Sequence, residues 1–207
     1  MDNRIVRACV TGLCALVAVA ALALGGAAPP PGKSAPTDPT PLAYEGETLV
    51  VAAKASEGGI VEQQMAEFGP AWSKNAQALW QPTKVGSTLS FPLLVGMNTD
   101  ALYSVAIAYT RAPDYGQVQL TVNGAPVGAP FDGYAAKVTH AGTVVLGTVL
   151  LKKGPAWNQF VFAVTSKNAA STAYYVGIDQ IKLNPVVRGR FPGLVPRPPF
   201  RILPLPK

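Results

Sequence analysis

The 207-residue chain is short of the side chains that most often carry chemistry. Its two cysteines, Cys9 and Cys14, both fall within the first 28 residues, and its one histidine is His140. With that opening segment removed no thiol remains, so thiol catalysis and disulfides are excluded and stability must come from a packed core. One imidazole without a cysteine or a second histidine makes a poor transition-metal site, and the Thr139-His140-Ala141-Gly142 setting predicts a solvated turn residue. No serine stands in a Gly-x-Ser-x-Gly elbow. Charge is scarce too, at 14% of residues. Between Leu42 and Pro185 nine Lys or Arg balance nine Asp or Glu, and the basic excess sits mainly in Arg188, Arg190, Arg197, Arg201 and Lys207. A neutral domain with a basic tail does not read as a nucleic-acid surface.

What is present divides into four segments. Residues 1–28 begin with Arg4 and Arg7, continue through the apolar run Ala8 to Leu24 and end in Gly25, Gly26, Ala27 and Ala28. That is the layout of a signal peptide, which predicts a secreted or cell-surface protein; left uncleaved, the same run would serve as a membrane anchor. Residues 29–41 form a Pro-rich linker, 42–185 the folded domain, and 186–207 a basic Pro-rich tail. The tail suits contact with an anionic polysaccharide or another chain in extended form, or plain solvation.

The domain is patterned for strands. Tyr103, Val105, Ile107 and Tyr109 share one side of a run, and Val118, Leu120 and Val122 alternate with Gln117, Gln119 and Thr121. Asn123-Gly124 suits the two positive φ angles of a tight hairpin, with a return strand over Ala125 to Gly128. Further strands are expected at Leu49 to Ala53, Ala78 to Gln81, Leu89 to Val95, Val144 to Leu151, Phe160 to Thr165 and Tyr174 to Leu183. The one helix-compatible window is Val61 to Phe68. Eight or more short strands with almost no helix predict an all-β, two-sheet antiparallel β-sandwich of the jelly-roll type.

Three acids have unusual phase within this pattern. In a strand over Glu45 to Val51, Glu45 and Glu47 share the parity of Leu49 and Val51, and Asp179 shares that of Ile181 and Leu183. Inward carboxylates need a partner, because an unpaired buried charge is costly. A structural Ca²⁺ bound by Glu45, Glu47 and Asp179 would meet that need; so would a parity slip at a bulge, or a countercharge from Lys54 or Lys182.

Glu45-Gly46-Glu47 and Gly177-Ile178-Asp179-Gln180-Ile181-Lys182-Leu183 resemble the opening Glu-x-Glu and closing Ile-Asp-x-Ile strands of galactose-binding-like carbohydrate-binding modules. Trp72-Ser73, Gln77-Ala78-Leu79-Trp80, Ala112-Pro113-Asp114-Tyr115-Gly116, Val122-Asn123-Gly124, Leu146-Gly147 and Ser166-Lys167-Asn168 follow in the order found in modules attached to secreted bacterial glycoside hydrolases. The resemblance spans nearly all of Leu42 to Pro185. It implies first and last strands lying side by side, a structural calcium at such acids, and non-covalent glycan binding. Sugar platforms are exposed aromatic rings flanked by amides or carboxylates. The aromatic candidates are Trp72, Trp80, Tyr115, Tyr134, Trp157 and Tyr174, with Trp80 expected in the core. The expected ligand set is Trp72, Asp114, Tyr115, Asp132, Tyr134 and Asn168, with no catalytic residue. The partner would be a carbohydrate or glycan surface, alongside a separate glycoside hydrolase or an envelope protein. Two other classes fit the same residues: a structural or assembly domain of the cell envelope, and a small glycan-active hydrolase using paired carboxylates.

Overall fold

A computed structural model describes residues 40–186. The expectations for the signal peptide, for the linker up to residue 39 and for the tail from residue 187 lie outside the described residues. Within them the chain forms twelve strands in two antiparallel sheets. The first sheet runs β10 (Thr139–Leu151), β6 (Ala101–Arg111), β12 (Val176–Pro185), β4 (Ala76–Trp80), β3 (Ile60–Gln64), with β1 (Leu42–Glu45) also on β12. The second runs β2 (Lys54–Ala55), β5 (Thr88–Leu94), β11 (Trp157–Lys167), β7 (Gly116–Val122), β8 (Ala125–Pro126), with β9 (Phe131–Asp132) also on β7. The expected side-by-side first and last strands are there: Leu42 pairs with Leu183 and Glu45 with Gln180.

The alternation read from the sequence is what separates the faces. Asn158, Phe160, Phe162 and Val164 of β11 are buried, while Trp157 and Gln159 between them are exposed. Opposite them, Tyr103, Val105, Ile107 and Tyr109 of β6 project inward. Phe91 and Phe162 meet edge to face at 5.9 Å, and Trp80 is fully buried as expected. Each such ring removed from water contributes about 1.5–3 kcal/mol, and this layer between the sheets holds the fold in place of disulfides. Asn123 and Gly124 have φ of 51° and 83°, as the hairpin turn from β7 to β8 requires.

Three local expectations are corrected. The segment after Glu45 is not a strand: it is a single helical turn, α1 (Gly46–Leu49), followed by a 3₁₀ turn (Val50–Ala52). Leu49 still reaches the core, but Val51 is 93% exposed. The cause is tertiary. A Cβ on Gly46 would lie 1.9 Å from the Ile178 carbonyl oxygen, so the turn packs directly on β12 and coils away from it. The window Val61 to Phe68 is edge strand β3 followed by a 3₁₀ turn (Ala66–Phe68), because Gln63 and Gln64 pair with Gln77 and Ala76. Asp179 lies at a bulge: pairing with β6 shifts between Ile178 and Gln180, so Ile178 and Ile181 both face the core and Asp179 turns to the opposite face.

Candidate functional site

The outer face of the first sheet is covered where it crosses β4, and two groups of polar side chains gather there. Trp72, expected on a sugar platform, is 5% exposed instead. Its loop folds back over β6, and Trp72 Nε1–H donates to Thr110 Oγ1 at 2.7 Å. The Thr110 hydroxyl donates to Gln77 Oε1 at 2.5 Å, and Gln77 Nε2–H donates to Gln63 Oε1 at 2.7 Å and to the Tyr115 hydroxyl at 3.2 Å. Gln77 and Thr110 are essentially inaccessible to water, so the network is dry. Gly177 makes room for it, since a Cβ there would lie 2.4 Å from Gln77 Oε1.

His140 is not a solvated turn residue. It lies on β10, and its Nε2 stands 2.9 Å from Asp179 Oδ2 with the Trp72 ring edge-on at 5.4 Å. The Gly142 N–H donates to His140 Nδ1 at 3.1 Å, which leaves the ring proton on Nε2 to be donated to Asp179. Asp179 Oδ1 accepts the Ser73 N–H at 3.0 Å. Burial raises the Asp179 pKa, and the bonds from His140 and Ser73 act against that shift. Both imidazole nitrogens and both carboxylate oxygens are therefore occupied. The pair ties β10 to β12, with each of these four atoms engaged by a protein partner.

Glu45 and Glu47 differ from Asp179. Glu45 Oε1 accepts from Gln180 Nε2 at 3.0 Å, and the Lys74 ammonium lies 3.8 Å from Glu47 Oε1. The second oxygen of each carboxylate, Oε2, is buried without a hydrogen-bond partner. Orphaned oxygens on two acids two residues apart are a donor set suited to a hard cation. The Lys74 side chain is 60% exposed, so its charge offsets them only weakly. Of the expected trio, Glu45 and Glu47 each keep a buried oxygen without a partner, whereas both Asp179 oxygens accept from protein donors. Among the described residues no three His, Cys, Asp or Glu side chains stand together as a metal cluster.

Beside the buried network opens a cavity of about 270 Å³. Its aromatic wall comes from Phe68, Tyr115 and Tyr175, and its polar groups are Gln63, Gln81 and Asp114. Tyr115, a candidate platform ring, is not exposed: only 5% of it is accessible, because glycine at position 133 allows the next loop to press on its Cβ. Only part of Tyr115 borders the cavity, and burial raises its hydroxyl pKa. Asp132 and Asn168 meet, but on each other: Asp132 Oδ2 accepts Asn168 Nδ2–H at 3.3 Å, while Oδ1 accepts the Tyr134 backbone N–H at 2.9 Å. Tyr174 is half-buried beneath the Lys167 ammonium, 4.8 Å from the ring centroid. Sequence reasoning missed Gln63, Phe68, Gln81 and Tyr175. The signal was faint: Tyr175 follows Tyr174 directly, and in the register observed here one member of the doublet reaches the cavity. Asp114 is the single carboxylate lining the cavity.

The fold and site define a two-sheet antiparallel β-sandwich of the jelly-roll type with a small aromatic cavity on one covered face. No family model matches the chain, and no curated protein sequence matches it. Solved structures do. A Paenibacillus xanthan lyase aligns with a TM-score of 0.60 and 23% identity over 73% of this chain, though the aligned part is 14% of the lyase. Family 35 and family 6 carbohydrate-binding modules are also among the structural neighbours. A family 35 module from Clostridium thermocellum is 20% identical, covering 69% of this chain and 98% of its own, with a TM-score of 0.45. The C-terminal family 6 module of a Zobellia galactanivorans laminarinase is 17% identical over 70% of this chain and 99% of its own, with a TM-score of 0.43. At these identities the likeness is one of fold.

Proposed function

We propose that this domain is a non-catalytic carbohydrate-binding module acting outside the cytoplasm, and that the cavity beside Tyr175 receives one end or one branch of a glycan. The observation that carries this reading is the cavity lining: three aromatic rings for the apolar face of a pyranose, with two amides and one carboxylate for its hydroxyls. The signal-like opening segment supports export. In this reading Tyr175 stacks on the sugar, Gln63, Gln81 and Asp114 fix its orientation, and Gln77 positions both Gln63 and Tyr115 from behind. Calorimetric titration with a panel of neutral and acidic oligosaccharides tests it. A bound glycan should be lost, by tenfold or more in Kd, in Tyr175→Ala and Asp114→Ala variants with unchanged melting midpoints. If binding survives both substitutions, the cavity is not the site.

In the same reading a structural Ca²⁺ is held by Glu45 and Glu47, each of which keeps a buried oxygen without a partner, while Asp179 is engaged by His140 and Ser73. The ion would supply charge neutralisation at the start of the domain and no chemistry on the sugar. Thermal melting in 1 mM Ca²⁺ against chelator is the measurement; a ligand bound only by the native state raises the midpoint. Equal midpoints would remove calcium from this proposal.

A further inference from the structure

The second sheet carries a feature that the cavity does not use. Trp157 opens β11 at 59% exposure, whereas Trp72 and Trp80 are buried, at 5% and 0%. Its cross-strand partner is Leu94, itself 43% exposed. Directly paired residues share a face of the sheet, so ring and isobutyl group form one apolar step. The next pair on that face is Gln159 with Pro92, and the one after is Val161 with Ser90, flanked by Thr121 on β7. Over these three pairs the described strands contribute no acid, and one base, Lys54, on the β2 edge. A strand advances about 3.3 Å per residue, so this strip runs roughly 13 Å along β11.

We propose that the outer face of the second sheet, centred on Trp157, is a separate binding surface for the side of an extended, uncharged polysaccharide chain. The occupant is argued from the chemistry of the strip. A flat, open strand surface fits a chain laid along it better than a chain end. An exposed indole beside Leu94 and Pro92 stacks on the C–H faces of successive pyranoses. Gln159, Thr121 and Ser90 offer amide and hydroxyl groups of both donor and acceptor type. The lack of acids and the single lysine at the strip's edge leave it nearly uncharged, which matches a neutral chain. This surface stands apart from the cavity beside Tyr175, and either can operate without the other.

Tryptophan fluorescence isolates the proposal, because Trp157 is the one tryptophan of the described residues open to solvent. The probes are β-1,4-glucan, β-1,4-mannan and β-1,3-glucan, each as a soluble hexaose and as an insoluble polymer. At least one hexaose should blue-shift the emission and shield it from acrylamide by twofold or more. Retention on the matching polymer should fall at least tenfold in Trp157→Ala and recover in part in Trp157→Phe, while Tyr175→Ala keeps the fluorescence response. Side chains this exposed leave the melting midpoint unchanged, which separates a binding defect from misfolding. Three results overturn the proposal: no shielding by any of the probes, wild-type retention by Trp157→Ala, or shielding that follows protein concentration rather than glycan. The last would make the face a contact between copies of this chain.

Discussion

Replacing Thr110 by valine tests the dry network behind the cavity. Valine matches threonine in shape and suits a strand at least as well, so β6 itself should be undisturbed. What is lost is the hydroxyl that joins Trp72 to Gln77, accepting one hydrogen bond at 2.7 Å and donating another at 2.5 Å. Thr110 is 1% exposed, Gln77 0% and Trp72 5%; water cannot take over. Two buried polar groups, an indole N–H and an amide oxygen, are left unsatisfied, each at about 1–3 kcal/mol. The sum, roughly 2–6 kcal/mol, is a large part of a typical domain's stability. With a urea m-value of about 2 kcal/mol per M the unfolding midpoint should fall by roughly 1–3 M at unchanged slope. Trp72→Phe should then cost markedly less in the Thr110→Val background than in the parent, because the indole N–H it removes is already an orphan. A midpoint shift under ~0.3 M, or additive effects of the two substitutions, would show that the hydroxyl does not bridge the pair and refute the network.

Other consequences are open to equally direct measurement. Glu57 accepts the Thr83 N–H and hydroxyl at 2.8 Å each and the Ser87 hydroxyl, and these bonds, that of Ser87 first, lower its pKa to about 2. A depressed folded-state pKa gives stability that is present above the ordinary value of 4.5 and lost as pH falls toward 2; Glu57→Gln should flatten the melting-midpoint profile across that window. Asp179 has the opposite sign, since burial raises its pKa above 3.8: its contribution is fully present below that value and declines as pH rises through the raised one. Asp179→Asn should remove that decline, as followed by the same profile. Gly46→Ala should destabilise the domain by about 1–3 kcal/mol in urea titration, because the added methyl meets the backbone of β12. Phe162→Ala should cost about 3–5 kcal/mol, because the ring packs against both Phe91 and Phe131 in the layer between the sheets.

Local pattern was enough for the all-β class, for the core faces of β6 and β7, and for the Asn123-Gly124 hairpin. Alternation and turn chemistry act over a few residues, and nothing distant overrode them. The pairing of the first and last strands was also legible, through motifs whose order resembled a known family. The site was legible only in part. Asp132 and Asn168 do meet, yet they bond each other, whereas four of the six named cavity side chains carried no pattern that pointed to them.

What tertiary structure alone decided has one physical root: a side chain's facing depends on pairing across the sheet, and one inserted residue reverses it. The bulge at Asp179 turned an acid of apparently inward phase toward His140, 39 residues away in sequence. The close approach of Gly46 to β12 made a helical turn of residues that alternate like a strand. Trp72 became a buried donor because its loop closes over Thr110, and Trp157 became the exposed tryptophan of the described residues because β11 starts on its outward phase. Composition and periodicity determined that a disulfide-free sandwich would form; the contacts between distant strands determined which of its aromatics and acids were left for a ligand.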